Sequence, residues 1–144
     1  MVNNNQVRYV PEAECIIKVT SGGRRRIRNG PIYCLETAKD LLDDLPLIVV
    51  NEKAKFSKKK RFSPEMTDDE LTQLIYALDQ EEHYVESERC DTTEKITLDC
   101  DAYTIYWNRY YQCEDRSAAK VYVKFGFAQS DPTLMVVSIK PSDW

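Results

Sequence analysis

Two short segments near the C-terminal end carry residue types suited to proton transfer and charge stabilisation at a phosphate. In residues 120–127, Val121, Val123, Phe125 and Phe127 alternate with Lys120, Tyr122, Lys124 and Gly126. In residues 134–140, Met135, Val137 and Ile139 alternate with Leu134, Val136, Ser138 and Lys140. Successive side chains of a strand point to opposite faces. With the Val/Val/Phe/Phe and Met/Val/Ile sets assigned to the core, Tyr122, Lys124, Ser138 and Lys140 share the opposite, open face. Asn108, Arg109, Tyr110 and Tyr111 close the preceding strand and border that face.

This combination suits cleavage of RNA without a metal or cofactor. The reaction needs a base for the ribose 2′-OH, cations for the charge on the pentacoordinate phosphate, and an acid for the leaving oxygen. Lysine, arginine and tyrosine fill such roles, and aromatic rings stack on splayed bases. Tyr122 is the candidate acid or base; as a base it needs Lys124 and Lys140 to lower its ordinary pKa of about 10. Lysine and tyrosine are also common on exposed strand faces with no chemical role.

The elements that must position these groups follow from periodicity. Residues 1–13 are polar and read as a loosely held leader. Residues 15–20 form a short β-branched strand stopped by Ser21-Gly22-Gly23. After a turn at Asn29-Gly30-Pro31, the spacing of Leu35, Ala38, Leu41, Leu42 and Leu45 predicts a helix ended by Pro46. Residues 47–50 predict a short strand, and the lysine-rich run 53–61 a solvent-exposed loop. Thr67-Asp68-Asp69-Glu70 is a capping box, in which Thr67 accepts from the Glu70 amide and Glu70 reaches back. Leu71, Leu74, Ile75 and Leu78 then form one apolar helical stripe. From Tyr103 onward the chain reads as a strand meander, with a turn at 128–132 returning the last strand antiparallel.

A length of 144 residues and a composition of 42% hydrophobic and 31% charged residues fit one folded domain. No apolar stretch is long enough to span a bilayer, and no basic region followed by an apolar run marks a secretory leader, so the expected location is cytoplasmic, away from membranes. Five cysteines at irregular spacing fit reduced thiols. A zinc site from His83, Cys90, Cys100 and Cys113 lacks the close Cys pair that anchors such sites, and no metal is expected. The net charge of −4 hides an asymmetry: residues 1–61 hold thirteen Lys/Arg against seven Asp/Glu, and the remainder seven against seventeen. Basic clusters at 24–28 and 53–61 suit a phosphate backbone or a merely solvated surface.

Several blocks, taken in order, resemble the MqsR family of bacterial toxin–antitoxin toxins. They are Asp69-Glu70-Leu71 through Ala77-Leu78, His83-Tyr84, Tyr106-Trp107-Asn108-Arg109-Tyr110-Tyr111, Val121-Tyr122-Val123-Lys124, and Val137-Ser138-Ile139-Lys140-Pro141-Ser142. Pro31-Ile32-Tyr33-Cys34-Leu35-Glu36-Thr37-Ala38-Lys39 is similar to that family's opening helix. The resemblance covers roughly residues 31 to 142. It implies a RelE-like α+β fold, an antiparallel-rich sheet with two or three helices on one face, spanning 31–144 after a basic, partly stranded N-terminal extension of residues 1–30. It also implies an mRNA endoribonuclease neutralised by a cognate antitoxin. The family's functional tyrosine falls on Tyr122, its terminal lysine on Lys140, and its polar residue after the tryptophan on Asn108. Lys124 completes the implied catalytic set, and Arg109, Lys58, Lys59, Lys60 and Arg61 are the RNA-binding candidates. Val85 stands where well-known members carry a lysine, with Arg89, Lys124 and Arg109 as candidate replacements. The alternative is a non-catalytic nucleic-acid- or protein-binding module on the same fold.

Overall fold

The computed structural model describes residues 8, 17–19, 25–28, 30–92, 97–128 and 131–143. The first strands, β1 (Ile17–Val19) and β2 (Arg25–Ile27), precede helix α1 (Leu35–Asp44) and strand β3 (Ile48–Val49). Helices α2 (Glu52–Lys60), α3 (Asp68–Ala77) and α4 (Gln80–His83) follow. The chain closes with β4 (Tyr84–Asp91), β5 (Thr97–Asn108), β6 (Cys113–Glu114), β7 (Lys120–Ala128) and β8 (Asp131–Pro141). The result is α+β, with an open sheet in the order β1-β2-β4-β5-β7-β8-β3 and β6 paired to β5 off that path. Every pairing is antiparallel except β3 with β8. Among the described residues no helix is long and apolar enough to cross a membrane.

One face of the sheet packs on α1 and α3. Tyr103, Ile105 and Trp107 of β5, and Val121, Val123, Phe125 and Phe127 of β7, join Leu35, Ala38, Leu41, Leu71, Leu74 and Ile75 in one buried cluster. That burial of apolar surface is the main drive for assembly. Asp101 pins the approach to α1: its carboxylate accepts from the Ile32 and Tyr33 amides at 2.9 to 3.0 Å and from Ser87 Oγ at 2.6 Å. Gln80 Oε1 takes the Leu35 amide at 2.9 Å, a cap for α1 from another helix.

The last strand departs from a uniform alternation. Lys124 pairs with Ser138 but Phe125 pairs with Val136, so Val137 is an extra residue in β8. On the C-terminal side of this bulge Ile139 enters the main core, as the periodicity predicts. On the N-terminal side Leu134 and Val136 take the core instead. Met135 and Val137 turn to the other face and form a second cluster with Val50, Leu98 and Cys100. The expected Met/Val/Ile core set is therefore corrected, and the part of the supposedly open face at Met135 and Val137 is buried.

The lysine-rich run is not a loop, which corrects a second expectation. Asn51 caps α2 by accepting from the Ala54 amide at 2.7 Å, and Glu52 sits in the first turn. Lys58, Lys59 and Lys60 occupy the last turn, where the helix dipole favours cations. Ala54 and Ser57, one turn apart, are buried. Asn51 also donates to the Val137 carbonyl at 2.8 Å, so the helix continues the cover of the β8 edge begun by β3.

The capping box of α3 forms only in part. The Glu70 amide donates to Thr67 Oγ1 at 3.1 Å. The Glu70 carboxylate, 5% exposed, turns inward to accept from Trp107 Nε1 at 3.0 Å and from Arg109 at 2.9 and 2.8 Å. Most of the leader lies outside the described residues. Arg8 is the exception: it bridges to Tyr33 and pairs with Asp99 at 3.1 Å.

Candidate functional site

Register places the chemistry-bearing residues in rows on the sheet face away from α1 and α3. Tyr106 lies opposite Lys120; Thr104, Tyr122 and Lys140 form the next row; Ala102, Lys124 and Ser138 the next. Directly paired side chains on one face are the closest neighbours a sheet offers. Tyr122 and Lys140 thus share the open face of adjacent antiparallel strands, with Lys140 Nζ 5.1 Å from the Tyr122 ring centroid. Lys120 Nζ repeats this arrangement 4.8 Å from the Tyr106 ring. Both are cation–π contacts.

Lys124 is held differently. Its ammonium lies 3.7 Å from Glu88, whose side chain is 3% exposed. Burial works to lower the Lys124 pKa, but Cys90, Tyr122 and Glu88 outweigh it and push the ammonium above its ordinary value. Cys90 is drawn down to about 7 by a hydrogen bond with Cys100 and by Lys124, against burial and Glu88. The Cys100 thiol is raised by burial and by Cys90.

Tyr122 behaves contrary to the requirement for a base. Burial pushes its phenol up to about 12; Lys124 opposes this, while Glu88 and Glu86 add to it. The expected lowering by neighbouring cations is corrected. At neutral pH the Tyr122 phenol stays protonated.

The remaining candidates are dispersed. Asn108 Oδ1 accepts from the Tyr110 and Tyr111 amides at 3.0 and 2.9 Å, and its amide donates to Asp115 at 3.1 Å. These bonds build the turn that carries β6, completed by Gln112 at φ 51°. Arg109 is bidentate on Glu70 and lies over the Phe62 ring at 5.2 Å. Lys58 pairs with Asp68, Lys59 and Lys60 are exposed, and Arg61 lines a small crevice with Ser138 and Lys140 beside α2. Arg89 pairs with Asp99 at 2.6 Å, and Lys124 and Arg109 are engaged as above. Val85 itself is 46% exposed. The arginines of β2 are also engaged, Arg25 with Asp91 at 2.6 Å and Arg26 with Glu86.

Two clefts open on this side of the sheet. One, of about 360 Å³, is lined by Lys53, Glu88, Cys90, Lys124 and Ser138, among others. The other, of about 540 Å³, lies where β5 passes from β4 to β6, and Glu82, His83, Tyr106, Glu114, Arg116 and Lys120 contribute to its wall. His83 Nε2 lies 2.6 Å from Glu114 Oε2. No sequence signal joined these two residues, which are 31 positions apart.

Among the described residues His83, Cys90, Cys100 and Cys113 do not form one cluster, although Cys90 and Cys100 touch each other. Among the described residues the one group of potential ligands within 4.8 Å of one another is Glu82, His83 and Glu114. There the Asp79 amide donates to His83 Nδ1 at 2.7 Å, which leaves the ring proton on Nε2, facing Glu114. A metal on Nε2 would need that proton gone, so the arrangement as built is a hydrogen-bonded dyad. The chain matches no family model, no curated protein and no solved structure.

Proposed function

We propose that the open sheet face binds single-stranded RNA and cleaves it through attack of a ribose 2′-OH on the adjacent phosphate, with no metal. The observation that carries this reading is the row Thr104–Tyr122–Lys140 beside Tyr106–Lys120, two tyrosine–lysine contacts on adjoining rows of one face. Tyrosine rings offer stacking surfaces for bases, and lysines offset phosphate charge. Tyr122, protonated at neutral pH, serves as donor to the leaving 5′-oxygen, and Lys140 holds the phosphate.

The resemblance to MqsR-type toxins supports the biological form of this reading: a cytoplasmic toxin acting on mRNA and held in check by an antitoxin. A second reading, a binding module that lacks catalysis, is favoured by one observation. Arg89, Lys124 and Arg109, the cations considered for the missing lysine, are all in ion pairs.

Induced expression of the wild type and of a Tyr122→Phe, Lys140→Ala double variant separates the two. Losing one transition-state contact costs on the order of a hundred- to a thousandfold in rate. The catalytic reading expects growth arrest and RNA cleavage from the wild type and neither from the variant. Equal toxicity from both would place the active face elsewhere.

A further inference from the structure

We infer that Cys90 is a peroxide-reactive thiol and Cys100 its resolving partner, in the cleft they share with Lys124 on the open face of the sheet. A small hydroperoxide is the substrate class. The site stands whether or not the same face cleaves RNA.

Both sulfurs lie on the sheet face away from α1 and α3. Across β4 and β5, Glu88 pairs with Cys100 and Cys90 with Leu98, so the cysteines are diagonal neighbours on one face. Ala102, two positions along β5 from Cys100, pairs with Lys124 of β7. A hydrogen bond joins the Cys90 and Cys100 side chains. Cys100 is 0% exposed and packs with Leu98, Met135 and Val137. Gly126 sits opposite it on β7, and a Cβ there would lie 3.2 Å from the Cys100 sulfur, so that side has no room to spare. Cys90 is only partly buried, and it lines the cleft of about 360 Å³ with Lys124, Glu88 and Ser138. One sulfur is thus within reach of a small oxidant, and the other is sealed behind it.

The thiolate is the form that attacks a peroxide. The hydrogen bond from Cys100 and the nearby Lys124 ammonium draw Cys90 down to about 7, against burial and Glu88. Cys100, raised by burial and by Cys90, keeps its proton, for which the Leu98 carbonyl at 3.7 Å is a second acceptor.

The Cys90 thiolate attacks the terminal oxygen of the hydroperoxide. The S–O bond forms as the O–O bond breaks, and the departing oxygen takes a proton from water. Sulfur gives up an electron pair and the peroxide gains it, leaving Cys90 as a sulfenic acid. The Cys100 sulfur then attacks the Cys90 sulfur. The S–S bond forms as the S–O bond breaks, and the hydroxyl leaves with the Cys100 proton as water. Diagonal neighbours stand about 7–8 Å apart at Cα, beyond the roughly 4.4–6.8 Å of a relaxed disulfide. Closing the bond therefore draws β4 and β5 past each other, and a bond under that load is readily reduced. The oxidation is reversible rather than a permanent staple.

The test exposes the full chain, reduced and freed of reductant, to limiting hydrogen peroxide, followed by alkylation, trypsin and mass spectrometry. Cleavage after Lys95 puts Cys90 and Cys100 in separate peptides, 90–95 and 96–109. The expected result is joint loss of the Cys90 and Cys100 thiols, with their peptides linked and the link undone by dithiothreitol. Cys113, which is exposed, measures what accessibility alone would give, and it is expected to be lost more slowly than Cys90. Cys100→Ser is expected to hold Cys90 as a sulfenic acid that dimedone captures, with no link. Cys90→Ser is expected to leave Cys100 reduced. Oxidation of Cys113 while Cys90 stays reduced, a link from Cys90 to any other cysteine, or Cys90 carried to sulfinic acid with Cys100 free overturns the assignment. The wild-type map alone decides among these outcomes, even where a variant fails to fold.

Discussion

Glu70→Ala tests whether the inward turn of the capping-box glutamate holds α3 to the sheet. The carboxylate is 5% exposed and takes three hydrogen bonds, one from Trp107 and two from Arg109. Truncation leaves the Trp107 indole N–H, on a residue 2% exposed, without its acceptor, at about 1–3 kcal/mol. It also strips the anionic partner from Arg109, whose side chain is 21% exposed and which keeps its bond to the Pro64 carbonyl. Breaking a fully buried pair costs about 3–5 kcal/mol, and partial access to water reduces the share due to Arg109. A combined loss of about 4 kcal/mol lowers the melting temperature by roughly 12–20 °C for a chain of this size. The Thr67 cap uses the residue 70 backbone amide, which alanine keeps, so loss of the cap does not enter. Thermal unfolding by circular dichroism of Glu70→Ala, Arg109→Ala and the double variant reads the effect. The double variant should fall short of the sum of the singles, because both remove the two Arg109–Glu70 bonds. A shift under about 3 °C for Glu70→Ala, or additive singles, would refute this account of how α3 is held.

Asp101 sets a pH dependence. Burial raises its carboxyl to about 6, against the bonds from Ile32, Ser87 and Tyr33 and the charge of Arg8. A folded pKa above the unfolded value of about 3.9 gives a contribution to stability that is full below pH 4 and lost as pH rises through 6, about 3 kcal/mol in all. Urea unfolding from pH 4 to 7 should show this fall in the wild type minus Asp101→Asn difference; a flat difference would contradict it. Replacing Lys58, Lys59 and Lys60 with glutamine is expected to weaken RNA binding. The dependence of log affinity on log salt should flatten by up to about 2 if all three touch phosphate. An unchanged slope would make the end of α2 a merely solvated surface.

How far the sequence carried these conclusions depended on which faces of each element are buried. β7 was legible because its apolar and polar residues alternate without a break. Ser138 and Lys140 lie on the face that simple alternation predicts, although β8 is interrupted, because the bulge at Val137 lies upstream of both. Nothing in residues 134–137 announces the bulge: Leu134, Met135, Val136 and Val137 are all apolar, and all four are buried on one face or the other. β4 had no apolar rhythm, since Ser87 and Glu88 are buried by hydrogen bonding and ion pairing rather than by hydrophobicity. In α2 the density of lysines masked the Asn51 cap and the Ala54–Ser57 spacing. The resemblance pointed to Asn108, which the structure spends on a turn. The His83–Glu114 dyad arises only when β6 folds back on β5 beside α4.

The most direct test of the central claim is the chemistry of the RNA ends. Purified full-length chain is incubated with single-stranded RNA in EDTA, and the fragments are analysed by mass spectrometry. The account predicts cleavage that survives the chelator and leaves a 2′,3′-cyclic phosphate or 3′-phosphate upstream and a 5′-hydroxyl downstream. Fragments with 3′-hydroxyl and 5′-phosphate ends, or cleavage abolished by EDTA, would contradict it.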